Sequence, residues 1–259
     1  MNDKYLFFDL DDTLIKCSGA FYEVEDKIAN KLLEYTDKYT FSELKRLFNE
    51  KQIENVKEHG YGPNNFKYSI MQVGSEVVGY DFFKDNLSEF ISKTAQILYD
   101  SPIELLDGVE DTIKYLYEKG YEMYIITKGV EEVQSDRVER LPIRDYFKDY
   151  YIVKHKLKED YESILEAHKL DAKDCYMIGN SPKGDINEAK LAGFNTIYVP
   201  NEHTWSEEES DILEGLPKTY KVDVFSDIMR MLWAMGTAIF AQKFKNQKGE
   251  RYESSCTKS

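Results

Sequence analysis

Long apolar runs, paired cysteines and surplus positive charge are all missing from this chain, and each absence removes a class of function. No apolar stretch reaches the roughly 20 residues that a membrane-crossing helix needs, so no membrane partner is expected. Met1-Asn2-Asp3-Lys4 runs directly into a strand-like segment, without the charged, apolar and small-residue regions of a signal peptide. A cytoplasmic location is therefore expected. Cys17, Cys175 and Cys256 are odd in number and far apart, which argues against a disulfide framework or a Cys-x-x-Cys metal site. Lysine and arginine total 34 against 48 acidic residues, a net charge of −14. Nucleic acid and anionic membranes need concentrated positive charge, so neither is an expected partner. The four histidines (His59, His155, His168 and His203) show no metal-ligand spacing.

What remains is a chain of 259 residues, 42% hydrophobic and 32% charged, able to bury one large core or a core with an insertion. Leu6-Phe7-Phe8-Asp9-Leu10-Asp11-Asp12-Thr13-Leu14 is an apolar strand-type run ending in two aspartates two positions apart. Strand side chains alternate faces, so an extended backbone would point Asp9 and Asp11 the same way. Two adjacent carboxylates repel unless a cation lies between them, and a hard divalent ion such as Mg²⁺ suits oxygen ligands.

From about Phe21 to Tyr99 the pattern is helical. Val24, Ile28 and Leu32 recur every four residues, and Thr40 with Glu43 predicts a capping box. Gly60, Gly62 and Pro63 predict a break. From Pro102 helices alternate with short apolar strands: Glu122 to Thr127, Tyr150 to Val153, Cys175 to Gly179 and Asn195 to Val199. Such alternation predicts parallel β-α-β units in an α/β, Rossmann-like, doubly wound sheet. The expected organisation is a core of residues 1–16 and 101–233, a helical segment at 17–100, and a C-terminal tail at 234–259 whose last part is disordered. Glu207-Glu208-Glu209 is read as a solvated face, Asn201 to Trp205 as a packing loop, and Ser226 to Trp233 as a terminal helix.

In open α/β sheets ligand groups gather beyond the C-terminal strand ends. Strand one ends in Asp9 and Asp11, and strand two in Thr127-Lys128-Gly129. Lys154, Lys156 and Lys158 follow strand three, and strand four ends in Gly179-Asn180-Ser181-Pro182-Lys183-Gly184-Asp185. Carboxylates, a hydroxyl and a lysine at separate strand ends can bind Mg²⁺ and a phosphoryl group. Lys128 and Lys183 are expected to be solvated loop residues.

With these residues in place, the chain resembles the haloacid dehalogenase-like (HAD) hydrolase superfamily. Four motifs stand in its order: Asp9-Leu10-Asp11-Asp12-Thr13-Leu14; Thr127 after Tyr124-Ile125-Ile126; a lysine ahead of Tyr161; and Gly179 to Asp185. The resemblance implies a Mg²⁺-dependent phosphatase acting on a small-molecule phosphate ester, with residues 17–100 as a helical cap. It implies Asp9 as nucleophile and Asp11 as proton carrier, a task for which a carboxyl group needs a raised pKa near neutral pH. Asp9, the Asp11 backbone carbonyl and Asp185 would be the metal ligands. Thr127 and the third-motif lysine would bind phosphoryl oxygens; Lys156 fits the spacing best and Lys158 is second. Two positions depart from the pattern: Asp12 stands where glycine is common, and Asn180 where a second acid often stands. A phosphomutase of the same superfamily and a catalytically weak binding or regulatory protein are the alternatives. The sequence is equally compatible with a monomer and a homodimer.

Overall fold

The computed structural model describes residues 4–100, 102–215 and 217–235. At its centre six parallel strands pair in the order β3-β2-β1-β4-β5-β6: β1 (Tyr5–Phe8), β2 (Glu122–Lys128), β3 (Asp149–Val153), β4 (Cys175–Gly179), β5 (Asn195–Tyr198) and β6 (Thr219–Lys221). Side chains divide between the two faces with period two. Leu6, Phe8, Met123, Ile125, Tyr176 and Ile178 join one apolar cluster, while Phe7, Tyr124, Ile126, Cys175 and Met177 join another. Helix α6 (Val109–Glu118) and the helical residues 227–235 cover the first face through Ile113, Leu116, Ile228 and Leu232. Helix α8 (Lys158–His168) and the short α9 (Ala189–Leu191) cover the second through Tyr161, Ile164 and Ala189. Burial on both faces explains why these strands are continuously apolar.

The chain runs outward from β1 to β2 and β3, then returns to the other side of β1 with β4. The order therefore reverses between β1 and β4, where such sheets leave a crevice. The expected doubly wound architecture is present. β6 is an addition: three residues, Thr-Tyr-Lys, are too short to show alternation.

Between β1 and α6 lie five helices: α1 (Ser18–Leu33), α2 (Phe41–His59), α3 (Pro63–Val78), α4 (Tyr80–Asn86) and α5 (Ser88–Asp100). They share their own apolar cluster, which includes Val24, Ile28, Leu32, Phe48, Ile70, Val73 and Ile91. Thr40 and Glu43 form the expected reciprocal capping box at α2. The break at Gly60, Gly62 and Pro63 is also present, with both glycines at positive φ. Gly79, at φ 87°, adds an unforeseen break between α3 and α4.

The two passages between sheet and helices are joined. Ile15 and Leu105 form an antiparallel bridge, Lys16 N donates to Glu104 O at 2.9 Å, and Leu106 N donates to Leu14 O at 3.0 Å. Among the described residues no helix is long and apolar enough to cross a membrane. The expected tail lies outside the described residues from 236 onward.

Candidate active site

A cleft of about 650 Å³ opens at the C-terminal strand ends and is lined by residues of the sheet loops and of α1 to α3. β1 ends at Phe8, and the Asp9 N–H still donates to Ile178 O at 2.9 Å, which anchors this carboxylate beside β4. Asp12 then turns the chain at φ 58°, a left-handed conformation that glycine and aspartate adopt more readily than most residues. That explains why aspartate can replace the common glycine. Its carboxylate also accepts from Cys17 N and Ser18 N at 3.0 Å, satisfying free N–H groups where α1 begins.

Lys156 is 2% exposed and sits at φ 54°. Its ammonium donates to Asp9 Oδ1 at 2.6 Å and to Asp185 Oδ1 at 2.8 Å. Such a backbone conformation in a buried lysine persists only where its surroundings hold it. Here the two carboxylates hold its side chain. Lys158 instead points outward, 41% exposed and paired with Glu162, and Lys154 is exposed. Lys156 is therefore the lysine at the site.

Asp185 lies in a π turn (Pro182–Glu188) that precedes α9, earlier than the expected helix start at Asp185. Ile186 N reaches back five residues to Ser181 O at 3.1 Å, and Ser181 N donates to Asp185 Oδ2 at 2.9 Å. A Cβ on Gly179 would fall 2.2 Å from Asp185 Oδ2, so the bare strand end is what admits this carboxylate. Tyr161 Oη donates to Gly184 O at 3.0 Å and ties α8 to the same turn. Asn180 is oriented by Thr13, whose Oγ1 donates to Asn180 Oδ1 at 3.2 Å, and its Nδ2 donates to Thr204 Oγ1 at 3.1 Å.

Asp11 faces a different set of partners. Gln134 Nε2 donates to Asp11 Oδ2 at 2.8 Å and to Thr127 Oγ1 at 2.7 Å, while the Arg137 guanidinium lies 2.6 Å from Asp11 Oδ1. Both residues lie on α7 (Glu131–Glu139). Their i, i+3 spacing puts them on one helix face, and that spacing was the available sequence signal. Asp9 and Asp11 thus stand in the same cleft but are held by different elements.

Burial, then the Asp185 charge, push the Asp9 carboxyl up to about 7 against the opposing pull of Lys156. Burial would lower the Lys156 ammonium, but Asp185 and Asp9 raise it above its ordinary value. The Cys17 thiol, which also lines the cleft, is held well above its usual value by burial and Asp11, so it is no thiolate nucleophile at neutral pH.

The segment after β5 corrects three expectations. Asn201 Nδ2 donates to Asp12 O at 3.0 Å, and Trp205 Nε1 donates to Asn49 Oδ1 of α2 at 2.7 Å, so this loop borders the site instead of merely packing. Glu208 is not on a solvated face: it pairs with Lys128 and accepts from Ser181 Oγ at 2.5 Å. Lys128 is correspondingly enclosed, whereas Lys183 remains half-exposed and paired with Glu207. Burial would raise the Glu208 carboxyl, but Lys128 and Ser181 outweigh it and hold it below its ordinary value.

The haloacid dehalogenase-like hydrolase family model matches residues 6–199. The chain is 25% identical over 244 residues to the pyrimidine 5′-nucleotidase PynA of Streptococcus pneumoniae, covering 88% of this chain and 94% of that protein. It is 27% identical over 208 residues to a glyceraldehyde 3-phosphate phosphatase of Pyrococcus abyssi, covering 75% and 80%. Among solved structures it shares its fold with a haloacid dehalogenase-like family hydrolase from Xanthomonas campestris, at a TM-score of 0.73 and 22% identity over 89% of this chain and 95% of that one. A second likeness is the HAD-hydrolase YfnB of Bacillus subtilis in a magnesium-bound crystal, at a TM-score of 0.60 and 20% identity over 88% and 98%. A match that begins in β1 and ends after β5 takes in the strand ends that carry Asp9, Thr127, Lys156 and Asp185. The chain belongs to the haloacid dehalogenase-like hydrolases.

Proposed function

We propose that this protein is a Mg²⁺-dependent phosphatase that hydrolyses a small phosphomonoester through an aspartyl phosphate on Asp9. The observation that carries the reading is the convergence of Asp9 and Asp185 on one buried ammonium, beside Thr127 and Asp11. The named relatives act on a pyrimidine 5′-nucleotide and on glyceraldehyde 3-phosphate, both phosphomonoesters. Residues 17–100 serve as the cap over a core of residues 1–16 and 101–233.

The residues suit the ion. Two hard anionic oxygens already converge on a cation, Lys156, and such donors favour a hard divalent metal. Among the described residues no group of three or more His, Cys, Asp or Glu side chains gathers as a metal site. This fits two carboxylates, Asp9 and Asp185, supplemented by the Asp11 backbone carbonyl, because the Asp11 side chain is committed to α7. When bound, Mg²⁺ neutralises phosphoryl charge and orients phosphorus toward the nucleophile.

An Asp9 oxygen attacks phosphorus as the bond to the leaving alcohol breaks, and Asp11 gives that alcohol its proton. Asp11 then takes a proton from the water that attacks the aspartyl phosphate, releasing inorganic phosphate and restoring Asp9. Thr127 and Lys156 stabilise charge on the phosphoryl oxygens. Gln134 holds Asp11 and Thr127 in fixed relation, and Arg137 must yield Asp11 for it to carry a proton. Closure of the cap would exclude bulk water from the first step.

Screening the protein against phosphate esters, with Mg²⁺ and with chelator, tests this reading beside Asp9→Asn. We expect Mg²⁺-dependent phosphate release that falls by about 10⁴-fold or more in the variant. Equal turnover by the variant would overturn the assignment of Asp9.

A further inference from the structure

Lys128 directly follows Thr127 and reaches into the cleft, where a second anionic group on a substrate could meet it. Its ammonium is already taken. Glu208 holds it, with the two side chains only 15% and 14% exposed, and Lys128 also lies 4.0 Å over the Tyr61 ring. The Glu208 carboxylate is fixed from the other side by Ser181 Oγ, which in turn accepts from Gly184 N at 2.9 Å. This is an anion site of ammonium and hydroxyl, filled by a carboxylate of the same chain.

The other cations of the cleft are matched as well. Lys16, Lys45, Arg137, Arg140 and Lys156 line it, and each has a carboxylate partner. The wall facing the strand ends carries aromatic and neutral polar groups, Tyr22, Tyr61, Trp205, Asn49, Gln52 and Asn65, and its Lys45 is neutralised by Glu25 beside it. Among the described residues Asn65 Oδ1 has no hydrogen-bond partner. A cleft of about 650 Å³ with such a wall suits a sizeable, uncharged, hydrogen-bonding group.

We propose that Glu208 is a specificity-determining residue: by holding Lys128, it restricts the site to phosphomonoesters whose leaving alcohol carries no negative charge. The inference rests on the phosphatase reading above. A substrate carboxylate near Lys128 has two options, both unfavourable. It can displace Glu208, which competes at the high effective concentration of a tethered group and would leave its own charge poorly compensated. Otherwise it stays close to Glu208, where among the described residues each cation lining the cleft already has a carboxylate partner, and like charges repel. A neutral alcohol meets neither penalty.

The test compares glycerol 3-phosphate with 2-phosphoglycolate, a small ester bearing a carboxylate. For the Mg²⁺-loaded full chain, kcat/KM should favour glycerol phosphate by about tenfold or more, and Glu208→Gln should narrow that ratio by about tenfold. Adding Lys128→Gln to Glu208→Gln should abolish the gain. Lys128→Gln alone should move the ratio the other way, because Glu208 then stands unneutralised; this variant decides the matter if Glu208→Gln fails to fold. Calorimetric binding of both esters in an Asp9→Asn background reads the same ratios without turnover. Shifted binding ratios without turnover in any form would uphold the role of Glu208 and remove the phosphatase reading. A ratio unmoved by either single variant, or a wild-type preference for phosphoglycolate, would overturn the inference.

Discussion

The two walls of the cleft are made in different ways. The strand-end wall carries Asp9, Thr127, Lys156 and Asp185 on short links from paired strands, and its key contacts are buried ion pairs. The opposite wall belongs to α1 to α3 and the 201–209 loop, and combines neutral contacts, such as Trp205 to Asn49 and the edge-on packing of Tyr61 against Trp205, with charges that pair within the chain, such as Lys45 with Glu25. Rigid placement of charge suits chemistry that is the same for every ester. A wall of neutral contacts and internally paired charges suits recognition of the group that differs between esters.

Lys156→Met attacks this division most strongly. It leaves Asp9 and Asp185 facing each other without their shared cation. Breaking a buried pair in this way costs about 3–5 kcal/mol, read by urea unfolding in metal-free solution, and phosphate release should fall about 10³-fold with every ester. Loss confined to some esters would erase the distinction between the walls.

Trp205→Ala attacks the other side. It removes the indole that donates to Asn49 and packs against Tyr61. KM should rise about tenfold while kcat stays within about threefold, since the contact serves binding more than the transition state. A parallel fall in kcat would show that the helical wall also positions the chemistry.

Thr40→Ala gives the smallest effect and marks the boundary of the comparison. It opens the capping box of α2 in an exposed position that does not itself line the cleft. We expect about 1 kcal/mol of lost stability in thermal unfolding and an unchanged kcat/KM.

The strand-end wall was largely legible in the sequence because it obeys local rules. Short continuous apolar runs between helical segments marked the strands, and the residues just beyond each strand end had to converge once the sheet was parallel. Lys156 was preferred over Lys158 only by the spacing to Tyr161 that the family resemblance implied, and in the structure Tyr161 is tied to Gly184 beside the same site. Asp12 read as a departure until its left-handed backbone showed why aspartate serves there. The other wall was not legible. Glu208 sits in a run of three glutamates, a pattern that usually marks a solvated face. Its partner Lys128 lies 80 residues away, and only the packed chain brings them together. Gln134 and Arg137 repeat at helical spacing, but which face of α7 meets the strand ends depends on how that helix rolls on the sheet.

The stitched passage between sheet and helices has a mechanical meaning. Because Ile15 pairs with Leu105, and backbone bonds join residues 14 to 106 and 16 to 104, the helices are not hung on two independent tethers. They hang on one narrow ribbon. Were the helical wall to swing away from the strand ends, it would have to bend or twist that ribbon. The cap closure proposed above would then turn about one hinge and meet the same frame, which carries Asp9.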